Sequence, residues 1–136
     1  IEVIAEVARI ITSTLTIDQV YEKFAAEMKR LVHFDRANIN IIDHAGGHNV
    51  GKYVSGQSVP GGHLVGVLPL EGTLTHQTTV TGQSVIRDDL ATGLPRPGDA
   101  KYLQVGLRSS ITVPLVSKER GIGSLTLRSR RPGATG

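Results

Sequence analysis

The sequence contains no cysteine and no tryptophan, and it has only three tyrosines and two phenylalanines among 136 residues. The lack of cysteine excludes disulfides, thiolate nucleophiles, cysteine-ligated zinc and thioether attachment of a chromophore. With so few aromatic side chains, the core must be built mainly from Ile, Val and Leu. No apolar run approaches the ~20 residues of a membrane span, and no signal peptide is recognisable. We expect a cytoplasmic domain without direct membrane contact, whose parent protein could still be membrane-anchored.

The chain carries a formal net charge of +3, with a basic cluster at Arg128, Arg130 and Arg131. Binding of nucleic acid would require a broad basic face, with interleaved aromatics for single strands. The other Lys and Arg residues are scattered, so we expect no nucleic-acid partner. The three arginines are interpreted as a solvated domain edge.

The length fits a single domain spanning residues 1–136. The chain begins at Ile1, within a helical pattern, and ends in the turn-forming residues 132–136. Both ends are interpreted as boundaries within a longer parent protein.

Two amphipathic helices are predicted within residues 1–33. In the first, apolar residues recur at helical spacing from Ile4 to Leu15. The second begins with the capping box of residues 16–19 and carries one long apolar stripe. A separate stripe of Val3, Val7 and Ile10 predicts either a homodimer seam or a surface that packs on the domain itself.

The remainder of the chain alternates between short strands and irregular segments. Period-2 patterns predict strands at residues 36–43, 51–55, 63–68, 85–86, 109–116 and 121–128. Thr73 and Gly82 delimit a predicted helix at 74–81, and Asp99 is predicted to cap another at 100–105. Residues 44–49 and 91–98 are predicted to be a turn and a loop. These elements indicate an α+β fold with a mostly antiparallel sheet.

Three of the predicted strands carry an apolar face and a face of small polar residues. The polar face holds Asn38, Asn40, Ser110, Thr112, Ser124 and Thr126. Such a face either contacts water or lines a cavity beneath the irregular segments 56–105. Because these side chains are short and uncharged, where an exposed face would carry more Lys and Glu, the cavity is favoured.

Several segments resemble the GAF domain family. The stretch FDRANINIID at residues 34–43 resembles its first-strand signature, and TGQSVIRD at 81–88 resembles its threonine-glycine segment. Residues 106–115 and 122–127 resemble its closing hairpin. Each motif is weak alone, but together they occur in the family's order over nearly the whole chain.

The resemblance implies a GAF-like (profilin-like) antiparallel sheet, with helices on one face and a ligand cavity on the other. It also implies a non-catalytic sensory domain of a histidine kinase, cyclic-di-nucleotide enzyme or transcription activator. Such domains bind small molecules or dimerise, and they signal through flanking helices. The family's C-terminal helix would begin just beyond Gly136, so a homodimer would use it together with the N-terminal helix. An interaction module without a ligand is the alternative.

The sequence departs from several members of the family. Bilin-binding members and the methionine-sulfoxide reductases of this fold need cysteines, which are absent here. The Asn-Lys…Phe…Asp-Glu pattern of cyclic-nucleotide binders is also missing, which leaves that ligand open. The cofactor and the small-molecule partner are therefore unassigned.

Single residues give weaker indications of a site. His76 lies on the helix expected to cover the cavity and could hold haem, but an ordinary polar helix residue is favoured. Asp88 and Asp89 point to opposite sides, so Asp88 is expected to fix its loop rather than join an acid/base pair. Arg108 could bind an anion or form an ion pair. No catalytic or metal motif is found. The candidate pocket residues are Asn38, Asn40, Leu74, His76, Thr78, Arg108, Ser110, Thr112, Ser124 and Thr126.

Overall fold

A computed structural model describes residues 4, 26–30, 33–57, 59, 67–96, 98–117 and 120–133. Its six described strands form one antiparallel sheet in the order β3-β2-β1-β6-β5-β4. The strands are β1 (Arg36–Asp43), β2 (His48–Gly56), β3 (Val67–Pro69), β4 (Val85–Arg87), β5 (Ser109–Ser117) and β6 (Arg120–Ser129). The prediction of an α+β fold with an antiparallel sheet is confirmed.

The turn before β2 is shorter than predicted. It spans only residues 44–47, because β2 already pairs with the end of β1 at His48. The register between β1 and β2 shifts between Ile39 and Asn40. This irregularity breaks the alternation of β2, which hides the strand's true start in the sequence.

Helix α1 (Leu74–Thr81) has the predicted bounds. The Thr73 side chain accepts the His76 N–H at 3.2 Å, which satisfies one free donor of the first turn. Gly82 ends the helix with φ of 69°, a left-handed conformation that costs glycine little.

Helix α2 (Asp99–Gln104) starts one residue earlier than predicted. The predicted capping role of Asp99 is wrong, because the N-cap is Gly98 and Asp99 is the first helical residue. Its carboxylate instead accepts the Arg96 N–H at 2.7 Å and pairs with Arg87.

The apolar face of the sheet forms the core. Ile39, Val113 and Leu125 lie on it and are at most 2% exposed, and Met28, from the helical residues 26–30, is fully buried against it. Ile4 joins the same cluster. Burial of such side chains stabilises the fold by about 1.5–3 kcal/mol each.

Several sequence predictions lie outside the described residues. They include most of the two N-terminal helices, the capping box at 16–19, the dimer candidates Val3, Val7 and Ile10, and residues 63–66 of a predicted strand. Within the described ranges, no helix has the length and apolar character of a membrane span.

Candidate functional site

Strand register brings the small polar residues together on one face of the sheet. Asn38 pairs with Thr126, which pairs in turn with Thr112, while Asn40 lies opposite Ser124. Directly opposed residues of antiparallel strands point to the same side. This face is buried: Thr112, Ser124 and Thr126 are at most 4% exposed. The alternative of a face open to water is therefore wrong.

Helix α1 fills one half of the polar face. The Thr75 and Ser124 hydroxyls lie 2.7 Å apart, and those of Thr112 and Thr126 lie 3.0 Å apart. Thr78 is fully buried and donates its hydroxyl to the Thr75 carbonyl at 3.1 Å. These hydroxyls satisfy one another, so this half of the face is closed by the protein itself.

The other half of the face lines a cavity of about 320 Å³ between the sheet, α1 and α2. This volume lies at the lower end of the range for small-molecule sites. Among the described residues around it, three are basic and none is acidic. The lining residues are Asn38, Asn40, Asn49, Gly72, Thr73, Leu74, Thr75, Arg96, Gly98, Lys101, Tyr102, Thr126 and Arg128.

Arg128 is the most deeply buried cation in this lining, at 9% exposed. Its guanidinium carbon lies 3.8 Å from the centre of the Tyr102 ring, a stacked cation–π contact. Its Nη1 donates to Asn38 Oδ1 at 2.6 Å, and its Nε is buried without a hydrogen-bond partner among the residues that the structure describes. Burial lowers the pKa of Arg128, although an arginine keeps its charge in proteins.

A buried ion pair fastens α2 over the cavity. The two terminal nitrogens of Arg87, Nη1 and Nη2, donate to the Asp99 carboxylate at 2.5 and 2.9 Å. Burial raises the pKa of Asp99, but the hydrogen bonds from Arg87 and Arg96 outweigh it, and the pKa falls below its ordinary value. The pair therefore fixes the helix that carries Lys101 and Tyr102 into the cavity wall.

The ten candidate pocket residues divide according to this geometry. Asn38, Asn40, Leu74 and Thr126 line the cavity. Thr78, Ser110, Thr112 and Ser124 are buried and are not part of the lining. His76, on α1, is half-buried and is not part of the lining. Ligand binding by any of these residues remains a prediction.

Arg108 does not lie at the cavity, because it forms the ion pair that the sequence left as its alternative. Its Nε donates to Asp89 at 2.8 Å. Asp89 also accepts the Ala91 N–H at 3.0 Å, and these hydrogen bonds lower its pKa. Asp89 therefore fixes the loop, and the assignment of that role to the exposed Asp88 is wrong.

Sequence reasoning missed three prominent residues of the cavity. The basic cluster predicts a solvated edge for Arg128, yet the alternation of β6 places it on the polar face with Ser124 and Thr126. The segment 44–49 predicts a turn at Asn49, but Asn49 lies in β2 and lines the cavity, where it is 6% exposed. Tyr102 gave no signal, because its position depends on how α2 docks.

The family comparison covers most of the chain. A family model described as GAF domain matches residues 14–135. No curated protein sequence shows a significant match.

Solved structures with similar folds come from several bacteria. The GAF domain of a two-component sensor histidine kinase from Bacillus halodurans is 20% identical with a TM-score of 0.74, covering 87% of this chain and 79% of that one. A free methionine-R-sulfoxide reductase from Neisseria meningitidis is 18% identical with a TM-score of 0.72, covering 99% and 75%. An NreA protein from Staphylococcus aureus, mutated in its nitrate binding site, is 20% identical with a TM-score of 0.68, covering 85% and 88%. At these identities the likeness shows a shared fold.

Proposed function

The chain belongs to the GAF domain family, and on that premise we propose that it is a regulatory domain that senses a small molecule within a multidomain signalling protein. GAF domains are commonly sensory or regulatory modules of sensor kinases, and they bind small molecules and often dimerise. The observation that carries the proposal is the cavity of about 320 Å³ on the polar face of the sheet. It combines amide and hydroxyl groups with cations, as a selective ligand site requires.

We propose a binding role rather than a catalytic one. Two structural neighbours are free methionine-R-sulfoxide reductases, and the reductases of this fold need catalytic cysteines. This sequence has none. A sulfoxide reductase of that kind therefore lacks its reactive group here, whereas a binding site needs only the groups already present in the cavity.

The cavity residue Arg128 lies close to the points where the chain enters and leaves the sheet. The first residue of β1, Arg36, pairs with Arg128 near the end of β6. The Asp35 carboxylate also accepts the Arg130 N–H at 2.7 Å. Movement of Arg128 on binding would act directly where the chain enters and leaves the sheet, and we propose that flanking helices receive the signal there.

Native mass spectrometry of freshly purified protein tests the binding role. We expect a co-purified molecule that is retained in Val80→Phe and lost in Leu74→Phe. Leu74 lines the cavity, so a larger ring there fills it, whereas Val80 is 71% exposed on the same helix. A ligand at a hundred times its Kd adds about 2.7 kcal/mol to the free energy of unfolding, so a thermal-shift screen of metabolites provides a second measurement. No adduct and no stabilising compound would contradict the proposal.

Dimerisation through the predicted N-terminal helix is a separate part of the proposal, and it rests on the stripe of Val3, Val7 and Ile10. We expect Val7→Lys to shift the chain from dimer to monomer in light scattering, because a charge at the centre of an apolar seam is costly. Glu6→Lys, a neighbouring position outside the stripe, is the control. A wild-type chain that is already monomeric would contradict the proposed dimer, and it would not affect the proposal of ligand binding in the cavity.

A further inference from the structure

We propose that the ligand of the cavity is a small organic carboxylate that also carries a hydroxyl or amino group, and that its carboxylate pairs with Arg128. The inference rests on the proposed function, since it names the ligand class of the same cavity. It follows from an excess of positive charge, from the unsatisfied groups in the lining and from the available volume.

The charge excess comes from one row of residues across the sheet. Arg36 pairs with Arg128, Arg128 with Ser110, and Ser110 with Arg87, so three arginines lie side by side on the polar face. The Asp99 carboxylate takes both of its guanidinium hydrogen bonds from Arg87, and no described carboxylate is hydrogen-bonded to Arg128. A cation left without a counter-ion in a poorly solvated site is unfavourable. An anion in the cavity would supply the missing charge.

Arg128 is placed to receive that anion. It lines the cavity, and one of its faces is held by the Tyr102 ring. Within the described part of the chain, its side chain makes a hydrogen bond only to the neutral Asn38 oxygen. A guanidinium has five N–H donors in one plane, which match the two oxygens of a carboxylate. The stacked ring restricts the guanidinium, so little freedom is lost when the second partner binds.

Asn49 and the cavity volume indicate the size and the second polar group of the molecule that carries the carboxylate. Asn49 is 6% exposed, lines the cavity, and has a buried Oδ1 without a hydrogen-bond donor among the described residues. A ligand hydroxyl or amino group would satisfy it. The cavity has room for about ten groups of the size of a water, which occupies about 30 Å³. A bare inorganic oxyanion would leave most of that volume unfilled.

Titrations followed by ¹H–¹⁵N NMR at constant ionic strength test the ligand class. The probes are the hydroxy acids glycolate and malate, their neutral amides glycolamide and malamide, and nitrate as the inorganic oxyanion. We expect saturable shifts with the carboxylates at Asn38 and Asn49, about tenfold weaker binding of the amides, and nitrate weaker than glycolate. Loss of a charge-assisted hydrogen bond accounts for a factor of this size.

Two variants test the role of Arg128 against a matched control. Arg128→Gln should weaken glycolate binding at least about tenfold, whereas the exposed Arg120→Gln, with the same change of charge, should leave it within about twofold. Asn38→Asp places a carboxylate beside the guanidinium and competes with the ligand. It should abolish glycolate binding while the domain stays folded, with a Tm no lower than that of the wild type. This second variant keeps the test valid if Arg128→Gln does not fold.

The outcomes separate this inference from the proposed function. Amides that bind as tightly as the acids would overturn the inference while supporting a sensory cavity for neutral molecules. If nitrate binds at least as tightly as glycolate, the assignment of an organic ligand is overturned. If Asn38→Asp binds glycolate as tightly as the wild type does, the role of Arg128 is overturned. Absence of binding by every probe overturns the inference, and combined with an empty native mass spectrum it contradicts the proposed function as well.

Discussion

Gly123→Ala is expected to lower the free energy of unfolding by about 3 kcal/mol, near the upper end of the usual cost of overpacking. Gly123 lies in β6 opposite Ile41 of β1. A Cβ at this position would overlap the carbonyl oxygen of Asn40 and lie 3.1 Å from the Ile41 Cα. Both are backbone atoms of a paired strand, so relief requires the two strands to move apart and to weaken their hydrogen bonds.

Urea unfolding measures this effect, with Gly93→Ala as the matched control. Gly93 has φ of 75° and open space around its Cα, so alanine there suffers only the left-handed conformation, about 1 kcal/mol. If Gly123→Ala costs no more than Gly93→Ala, the close approach of β1 and β6 is not as described.

The second large effect is expected for Asp99→Asn, which removes the counter-ion of Arg87 while keeping the shape of the side chain. The two side chains are 11% and 12% exposed. Loss of one partner of such a buried pair costs about 3 kcal/mol, because the remaining charge stays buried. Ligand affinity should fall as well, since α2 holds Lys101 and Tyr102 against the cavity.

The same variant should change the response to acid. The pKa of Asp99 is lower in the folded chain than its ordinary value, so its stabilising contribution is present above about pH 4. That contribution is lost as the pH falls through the folded-state pKa. The difference in stability between wild type and Asp99→Asn should therefore shrink on acidification. Unfolding curves at pH 7 and pH 3 measure it, with the exposed Asp88→Asn as control, and a difference independent of pH would contradict the assignment.

Local signals predicted most of the fold correctly. The bounds of α1 follow from Thr73 and Gly82, which act on the adjacent backbone and need no tertiary information. The alternation in β1, β5 and β6 sorted the apolar face from the polar face, and the register places the pairs as expected. Fold class could be predicted because each of these signals acts over a few residues.

The extent of the cavity and several of its lining residues could not be predicted from such local signals. Helix α1 fills half of the polar face through hydroxyl contacts such as Thr75 with Ser124, 49 residues apart in the chain. The irregular pairing of β1 with β2 hides Asn49, and the docking of α2 brings Tyr102 onto Arg128. A charged residue near the end of a strand is usually solvated. Only the contact with Tyr102 in the folded chain shows that Arg128 is buried.

The central position of β1 also affects how the protein is made. Its neighbour β6 follows it far along the chain, so that Asn38 and Arg128, which share a hydrogen bond, are 90 residues apart. During translation the hairpin of β1 and β2 leaves the ribosome with one edge of β1 unpaired. An unpaired strand edge invites pairing with other chains, and contacts of this sequence separation form slowly. Nascent chains that stall before β6 are therefore expected to depend on chaperones. The sheet becomes continuous only when β6 has left the ribosome and pairs with both β1 and β5.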